Sequence, residues 1–142
     1  MHNFGRLITA MASPMKHNGD IDLETTKNLA QKLVQSGTES IISTGTTGES
    51  PTLNSFEQIE IWKATKNAVG KSIPVIAGAT NNNTAASIKL CQEAESAGLD
   101  GLLLTVPAYN KPTQQGLIEH FTAIAKATSL PCLLYNVPSR TA

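Results

Sequence analysis

Charge of a single sign is what this chain lacks most plainly: 11 Lys and Arg are matched by 11 Asp and Glu, and charged residues make up only 15% of its 142 residues. Without a basic field nothing collects the phosphates of a nucleic acid or an anionic membrane surface, so neither is expected as a partner. Long apolar runs are missing too. The most sustained, Leu102 to Leu104 with Val106 beyond, falls far short of the ~18 residues that cross a bilayer, and no basic stretch followed by an apolar one opens the chain. The expectation is a soluble, cytoplasmic protein. The two cysteines, Cys91 and Cys132, lie far apart in apolar surroundings; they read as reduced core thiols and argue against a disulfide framework or zinc site. His2, His17 and His120 show no metal-ligand spacing, and no Ser or Cys stands in the glycine elbow of a hydrolase, so no metal, no cofactor and no hydrolytic triad is expected. Aromatic residues are only 4% of the chain, and the lone Trp62 and Phe121 fall on apolar helix faces, where they read as core.

What is present is a repeat. Short apolar, β-branched segments recur at 7–12, 40–43, 73–77, 102–106 and 132–137, with starts roughly 30 residues apart, the spacing of strand, loop and helix in series. The runs are continuous rather than alternating, as in parallel strands buried on both faces. Helix signals fill the gaps. In the first, Leu23, Ala30, Leu33 and Val34 share a face, Asp22 or Asp20 caps the start and Gly37 follows the end. The second opens on Asn54 and Glu57 at capping-box spacing, then places Ile59, Trp62 and Val69 on one stripe before Gly70. Ile88 and Cys91 lead to Gly98 in the third, and Leu117, Phe121, Ile124 and Ala125 make the face of the fourth. One α/β domain of five strands and four helices results. A closed (β/α)8 barrel needs ~250 residues, and on counting alone a flavodoxin-like five-stranded sheet is the alternative.

In either architecture chemistry gathers at the carboxyl ends of the strands. The second strand runs into Thr44-Gly45-Thr46-Thr47-Gly48-Glu49-Ser50, whose glycines allow tight turns while amides and hydroxyls converge on a small anion. It is neither a Walker loop nor a dinucleotide fingerprint. The only two tyrosines, Tyr109 and Tyr135, follow the fourth strand and end the fifth. A packed aromatic is the commoner role for either alone, but with the threonine pair they offer three hydroxyls able to pass a proton along a hydrogen-bonded chain. Arg140, one of two arginines, either clamps a carboxylate in its planar fork or makes an ordinary surface ion pair.

The combination of Gly45-Thr46-Thr47-Gly48-Glu49-Ser50, Pro74-Val75-Ile76-Ala77-Gly78, Tyr109-Asn110-Lys111-Pro112 and Tyr135-Asn136-Val137-Pro138-Ser139-Arg140-Thr141, with Thr9-Ala10 and Pro14-Met15 ahead of them, resembles the dihydrodipicolinate synthase family over the whole chain. The resemblance implies a class I aldolase on a TIM (β/α)8 barrel, with residues 1–142 as the N-terminal part of that single domain, ending before the sixth strand. The implied reaction condenses pyruvate with L-aspartate 4-semialdehyde to 4-hydroxy-tetrahydrodipicolinate, in lysine and diaminopimelate biosynthesis, through a Schiff base and without a cofactor. Thr46, Tyr109 and Tyr135 match the proton-relay hydroxyls, Tyr135 being closest to pyruvate. Thr47 and its neighbouring amides match the pyruvate carboxylate site, and Arg140 the residue that receives the semialdehyde carboxylate. The equivalent of Tyr109 usually enters the adjacent subunit's site, which implies a homodimer or homotetramer.

The sequence also departs from the pattern. The Schiff-base lysine of the family lies at the end of the sixth strand, and Lys111 matches a loop position instead, so this chain alone is expected to be inactive. Ala108 stands where many members carry a second tyrosine, and Ala86 replaces a glutamate of the lysine-binding allosteric site, of which Asn82 matches an asparagine; weak lysine feedback is expected. Ala79-Thr80 replaces a more usual Thr-Gly pair. N-acetylneuraminate lyase shares the threonine loop and pyruvate chemistry, but normally lacks the arginine motif at 135–140. A non-catalytic half-barrel with a binding or regulatory role is the other alternative.

Overall fold

The computed structural model describes residues 4–141. Five parallel strands, β1 (Ile8–Ala10), β2 (Ser40–Ser43), β3 (Val75–Gly78), β4 (Gly101–Thr105) and β5 (Cys132–Tyr135), lie side by side in chain order. Every step goes to the next neighbour in the same direction, which is the winding of half a barrel and not the 2-1-3-4-5 order of a flavodoxin-like sheet. The strands pair in register from Ile8 opposite Ser40 to Thr105 opposite Tyr135. All four residues of β3 are buried, whereas Leu7 beside β1 and Leu134 in β5 are 54% and 65% exposed, so the sheet is dry at its centre and open at both flanks.

Four helices pack outside it: α1 (Leu23–Gln35), α2 (Ser55–Val69), α3 (Thr84–Ser96) and α4 (Gln114–Lys126). Their starts obey the capping rules. Asp22, not Asp20, caps α1, its carboxylate accepting from the Thr25 amide at 3.0 Å, and Asn54 with Glu57 closes a full capping box on α2. Gly37, Gly70 and Gly98 follow α1, α2 and α3 in the left-handed region, where a missing Cβ removes the penalty. A buried cluster centred on Ile41, Trp62, Val75, Ala77, Cys91, Leu102 and Leu104 joins the two layers. Asp100 ties the start of β3 to α2: its Oδ2 accepts from the Val75 amide at 2.7 Å and from Lys66 Nζ at 2.6 Å.

Several expected boundaries shift. The first strand shortens from 7–12 to Ile8–Ala10, because only these residues pair with β2, from Ile8 opposite Ser40 to Ala10 opposite Ile42, and beyond them the Met11 amide alone still donates to the Ile42 carbonyl at 3.0 Å. The fifth stops at Tyr135 rather than 137, and a short fifth helix, α5 (Pro138–Thr141), begins there, since proline presets the helical φ of a first turn. On α4 the buried residues are His120 and Ile124, while Ala125 faces solvent. His120 Nδ1 hydrogen-bonds Thr84 Oγ1 at 2.8 Å, and burial holds its pKa below the ordinary 6.5. Cys91 is buried and its thiol is pushed up to about 12, chiefly by desolvation; Cys132 is half-buried, and both are free thiols. No helix among the described residues is long and apolar enough to cross a membrane.

Candidate active site

At the carboxyl ends of the strands a cavity of about 560 Å³ opens. Thr44, Gly45 and Thr46 beyond β2, Gly78 and Thr80 at β3, Thr105 and Val106 at β4, and Tyr135, Val137 and Arg140 at β5 all contribute to its wall. Among the described lining residues Arg140 is the one charged side chain, and no carboxylate faces it. Such a lining favours an anionic ligand of small-molecule size.

The wall beyond β2 is built under strain. Thr44 is β-branched, buried, and held at φ 55°, a left-handed conformation that costs a non-glycine residue about 1–3 kcal/mol. Two contacts hold it. Trp62 Nε1–H donates to Thr44 Oγ1 at 2.6 Å, and the Thr44 hydroxyl donates to the Gly78 carbonyl at 3.3 Å. Gly78 makes room for this, since a Cβ there would stand 2.3 Å from the Thr44 carbonyl oxygen. Further along, Ser13 Oγ donates to the Gly48 carbonyl at 2.7 Å, and Gln58 Nε2 donates to the Ser50 carbonyl at 3.1 Å. The loop is thus anchored from the β1 connection, from β3 and from α2.

Thr80 repairs the end of the sheet. Its hydroxyl donates to the Leu103 carbonyl at 3.1 Å and accepts from the Thr105 amide at 2.8 Å, carrying the β3–β4 ladder one side chain past the last strand pair. This is what the Ala79-Thr80 pair does, an effect that composition and spacing did not reveal. Asn82 grips the next loop twice, with Nδ2 donating to the Ala108 carbonyl at 3.0 Å and Oδ1 accepting from the Ala108 amide at 3.1 Å. On the far side the Thr141 hydroxyl, within hydrogen-bond reach of both Asn136 Oδ1 at 2.6 Å and the Val137 carbonyl at 3.1 Å, pins α5 against the cavity.

Of the residues singled out in the sequence, Thr46, Tyr135 and Arg140 line this one cavity. Thr47 is exposed and is not among the lining residues. Tyr109 stands apart as well: it is 94% exposed, at φ 75°, on the loop beyond β4. His17 is exposed, and His2 lies outside the described residues. No group of three or more His, Cys, Asp or Glu among the described residues is placed to hold a metal ion. Sequence reasoning placed Thr44 in the anion loop without its strain, missed Thr80 as part of the site and read Trp62 as core alone. For the strain at Thr44 the available signal was a β-branched residue directly before a glycine at a strand end.

A family model described as the dihydrodipicolinate synthetase family matches residues 3–142. The 4-hydroxy-tetrahydrodipicolinate synthase of Moorella thermoacetica is 52% identical over 138 residues, covering 97% of this chain and 47% of that protein. A crystal structure of a Bacillus anthracis dihydrodipicolinate synthase superposes with a TM-score of 0.97 at 48% identity, covering 99% of this chain and 48% of that one. A chloride-inhibited dihydrodipicolinate synthase from Acinetobacter baumannii, complexed with pyruvate, gives 0.95 at 42% identity, covering 98% of this chain and 48% of that one. The chain spans about half the length of the relatives it matches.

Proposed function

The chain belongs to the dihydrodipicolinate synthetase family, and on that premise we propose that it forms the N-terminal half of a (β/α)8 barrel that condenses pyruvate with L-aspartate 4-semialdehyde. The observation that carries this reading is the meeting of Thr46, Tyr135 and Arg140 on one cavity at the strand ends. The open β5 flank, with Leu134 exposed, fits a sheet continued by further strands.

In the proposed reaction a lysine of the second half holds pyruvate as an imine. Its carboxylate lies against the amides and hydroxyls of the 45–47 loop, where a preorganised turn stabilises negative charge without a counter-ion. Loss of a methyl proton gives the enamine, and Tyr135 with Thr46 relays that proton. The enamine carbon then attacks the aldehyde carbon of the semialdehyde; the new C–C bond forms as the aldehyde oxygen takes a proton from the relay and becomes the hydroxyl. Arg140 receives the semialdehyde carboxylate in a two-pronged contact. The substrate amine finally displaces the lysine and closes the ring. Tyr109, extended from its own chain, completes the relay in a neighbouring subunit of a homodimer or homotetramer. Residence in the cytoplasm belongs to the same reading and fits the unpaired thiols of Cys91 and Cys132.

The test joins residues 1–142 in one chain to the second half of the Moorella relative. The completed barrel should turn over both substrates; Tyr135→Phe should lower kcat by roughly 10²- to 10⁴-fold, and Arg140→Ala should raise KM for the semialdehyde more than for pyruvate. Full activity in Tyr135→Phe would remove it from the relay. A folded barrel that binds pyruvate but condenses nothing would favour the binding-protein alternative.

A further inference from the structure

The geometry points to Trp62 as a positioning residue for the substrate-anion loop, acting from inside the core through the strained backbone of Thr44. The inference rests on the reading of the cavity as the pyruvate site. Trp62 is the only tryptophan in the chain, fully buried on α2, and does not line the cavity. Packing alone would account for the indole ring, yet its one polar atom is spent on a single acceptor, Thr44 Oγ1, at 2.6 Å.

That acceptor sits where the loop direction is decided. A threonine at φ 55° is unfavourable by itself, and in the relaxed alternative the Thr44–Gly45 peptide would turn and carry the Gly45 and Thr46 amides with it. A hydroxyl has one proton and two lone pairs. Here the proton goes to the Gly78 carbonyl at 3.3 Å and a lone pair takes the indole N–H, so the side chain is fixed from two directions. The absent Cβ at Gly78 then lets the Thr44 carbonyl lie against the end of β3. Trp62, Thr44 and Gly78 form one device: a strained residue, the donor that holds it and the gap that admits it. Neither Trp62 nor the Thr44 hydroxyl has to touch substrate for the device to set where the substrate carboxylate binds.

The test is a set of variants of the completed barrel. Trp62→Phe keeps an aromatic ring in the core and deletes the N–H, while Thr44→Val keeps shape and branching and deletes the acceptor. Each should raise KM for pyruvate roughly tenfold, the effect of losing one buried hydrogen bond that holds a strained geometry. The change in kcat should be smaller, and the amide resonances of Gly45 and Thr46 should move in both variants. Thr44→Gly removes the strain itself, since glycine adopts this φ freely. In that background Trp62→Phe should leave KM and those resonances unchanged, although it still lowers the melting temperature. A purely structural Trp62 would give the opposite pattern: lower melting temperature in both backgrounds, with KM and the two amides unaffected in either. That result overturns the proposal. A wild-type barrel that binds no pyruvate would overturn the site reading instead, and the amide shifts would still report on the Trp62–Thr44 coupling.

Discussion

An alanine at Gly78 would place its Cβ 2.3 Å from the Thr44 carbonyl oxygen, 2.7 Å from its carbonyl carbon and 2.9 Å from the Gly45 nitrogen. All three are backbone atoms, so no side-chain rotation relieves the clash. The loop or the end of β3 must retreat by about 1 Å to restore ordinary contact. Overpacking against rigid surroundings costs about 3 kcal/mol at its upper end, and none of that here is conformational, because the φ of Gly78 is not left-handed. In a barrel of ordinary domain size this amounts to a melting-temperature loss of roughly 6–12 °C. The displaced amides should also weaken pyruvate binding by up to about 10²-fold, the effect of a 1 Å misplacement. Gly98→Ala supplies the control: φ is 77° there, at an αL helix end closed by the Leu99 amide on the Ala94 carbonyl, but nothing lies within 4 Å of the added methyl, so only backbone strain of about 1–2 kcal/mol is expected. Thermal melts by circular dichroism and pyruvate titrations on the completed barrel read both effects. A Gly78→Ala protein as stable as Gly98→Ala, with unchanged pyruvate affinity, would refute the close-approach argument.

Further expectations come from other parts of the chain. The Asp100→Ala change strips the Val75 amide and Lys66 of their shared acceptor and should destabilise by about 1–3 kcal/mol, read as a shifted urea midpoint. Acid should weaken the fold through three carboxylates held below their ordinary values of 3.8 and 4.5: Asp22 by the Thr25 amide and hydroxyl, Glu39 by the Leu7 and Arg6 amides, and Glu95 by the Ser129 and Thr128 hydroxyls. The unfolded chain binds more protons there, so their contribution is whole above about pH 4.5 and fades as the pH falls through the lowered native values. Urea midpoints taken down that range should flatten in Glu39→Gln. Lysine inhibition of the completed barrel should be weak, since Asn82 is already bonded to Ala108 through both ends of its amide and Ala86 offers no carboxylate; a lysine titration with tight inhibition would contradict this.

Much of the fold was legible because its signals are local. The capping box at Asn54 and Glu57, the terminal glycines and the continuous apolar strands each act over a few residues, and the strand order follows once every crossover is a single βα step. The site was legible only where residues lie on strand ends. Thr46, Tyr135 and Arg140 meet because neighbouring units bring their ends together. Thr80 and Trp62 act instead through hydrogen bonds to residues 25 and 18 positions away, partnerships that no spacing rule encodes. Ala125 and the boundaries of β1 and β5 shifted because packing, not periodicity, decides which face of a partly apolar segment is covered.

In the function proposed above, this chain carries the acid–base and carboxylate-binding half of a pyruvate aldolase and takes its nucleophile from the other half of the barrel. Intact mass after incubation with pyruvate and borohydride tests it directly. The completed barrel should gain one reduced pyruvyl group, and residues 1–142 alone should gain none. An adduct on the 142-residue chain by itself would contradict the account and turn attention to its own lysines, Lys111 first.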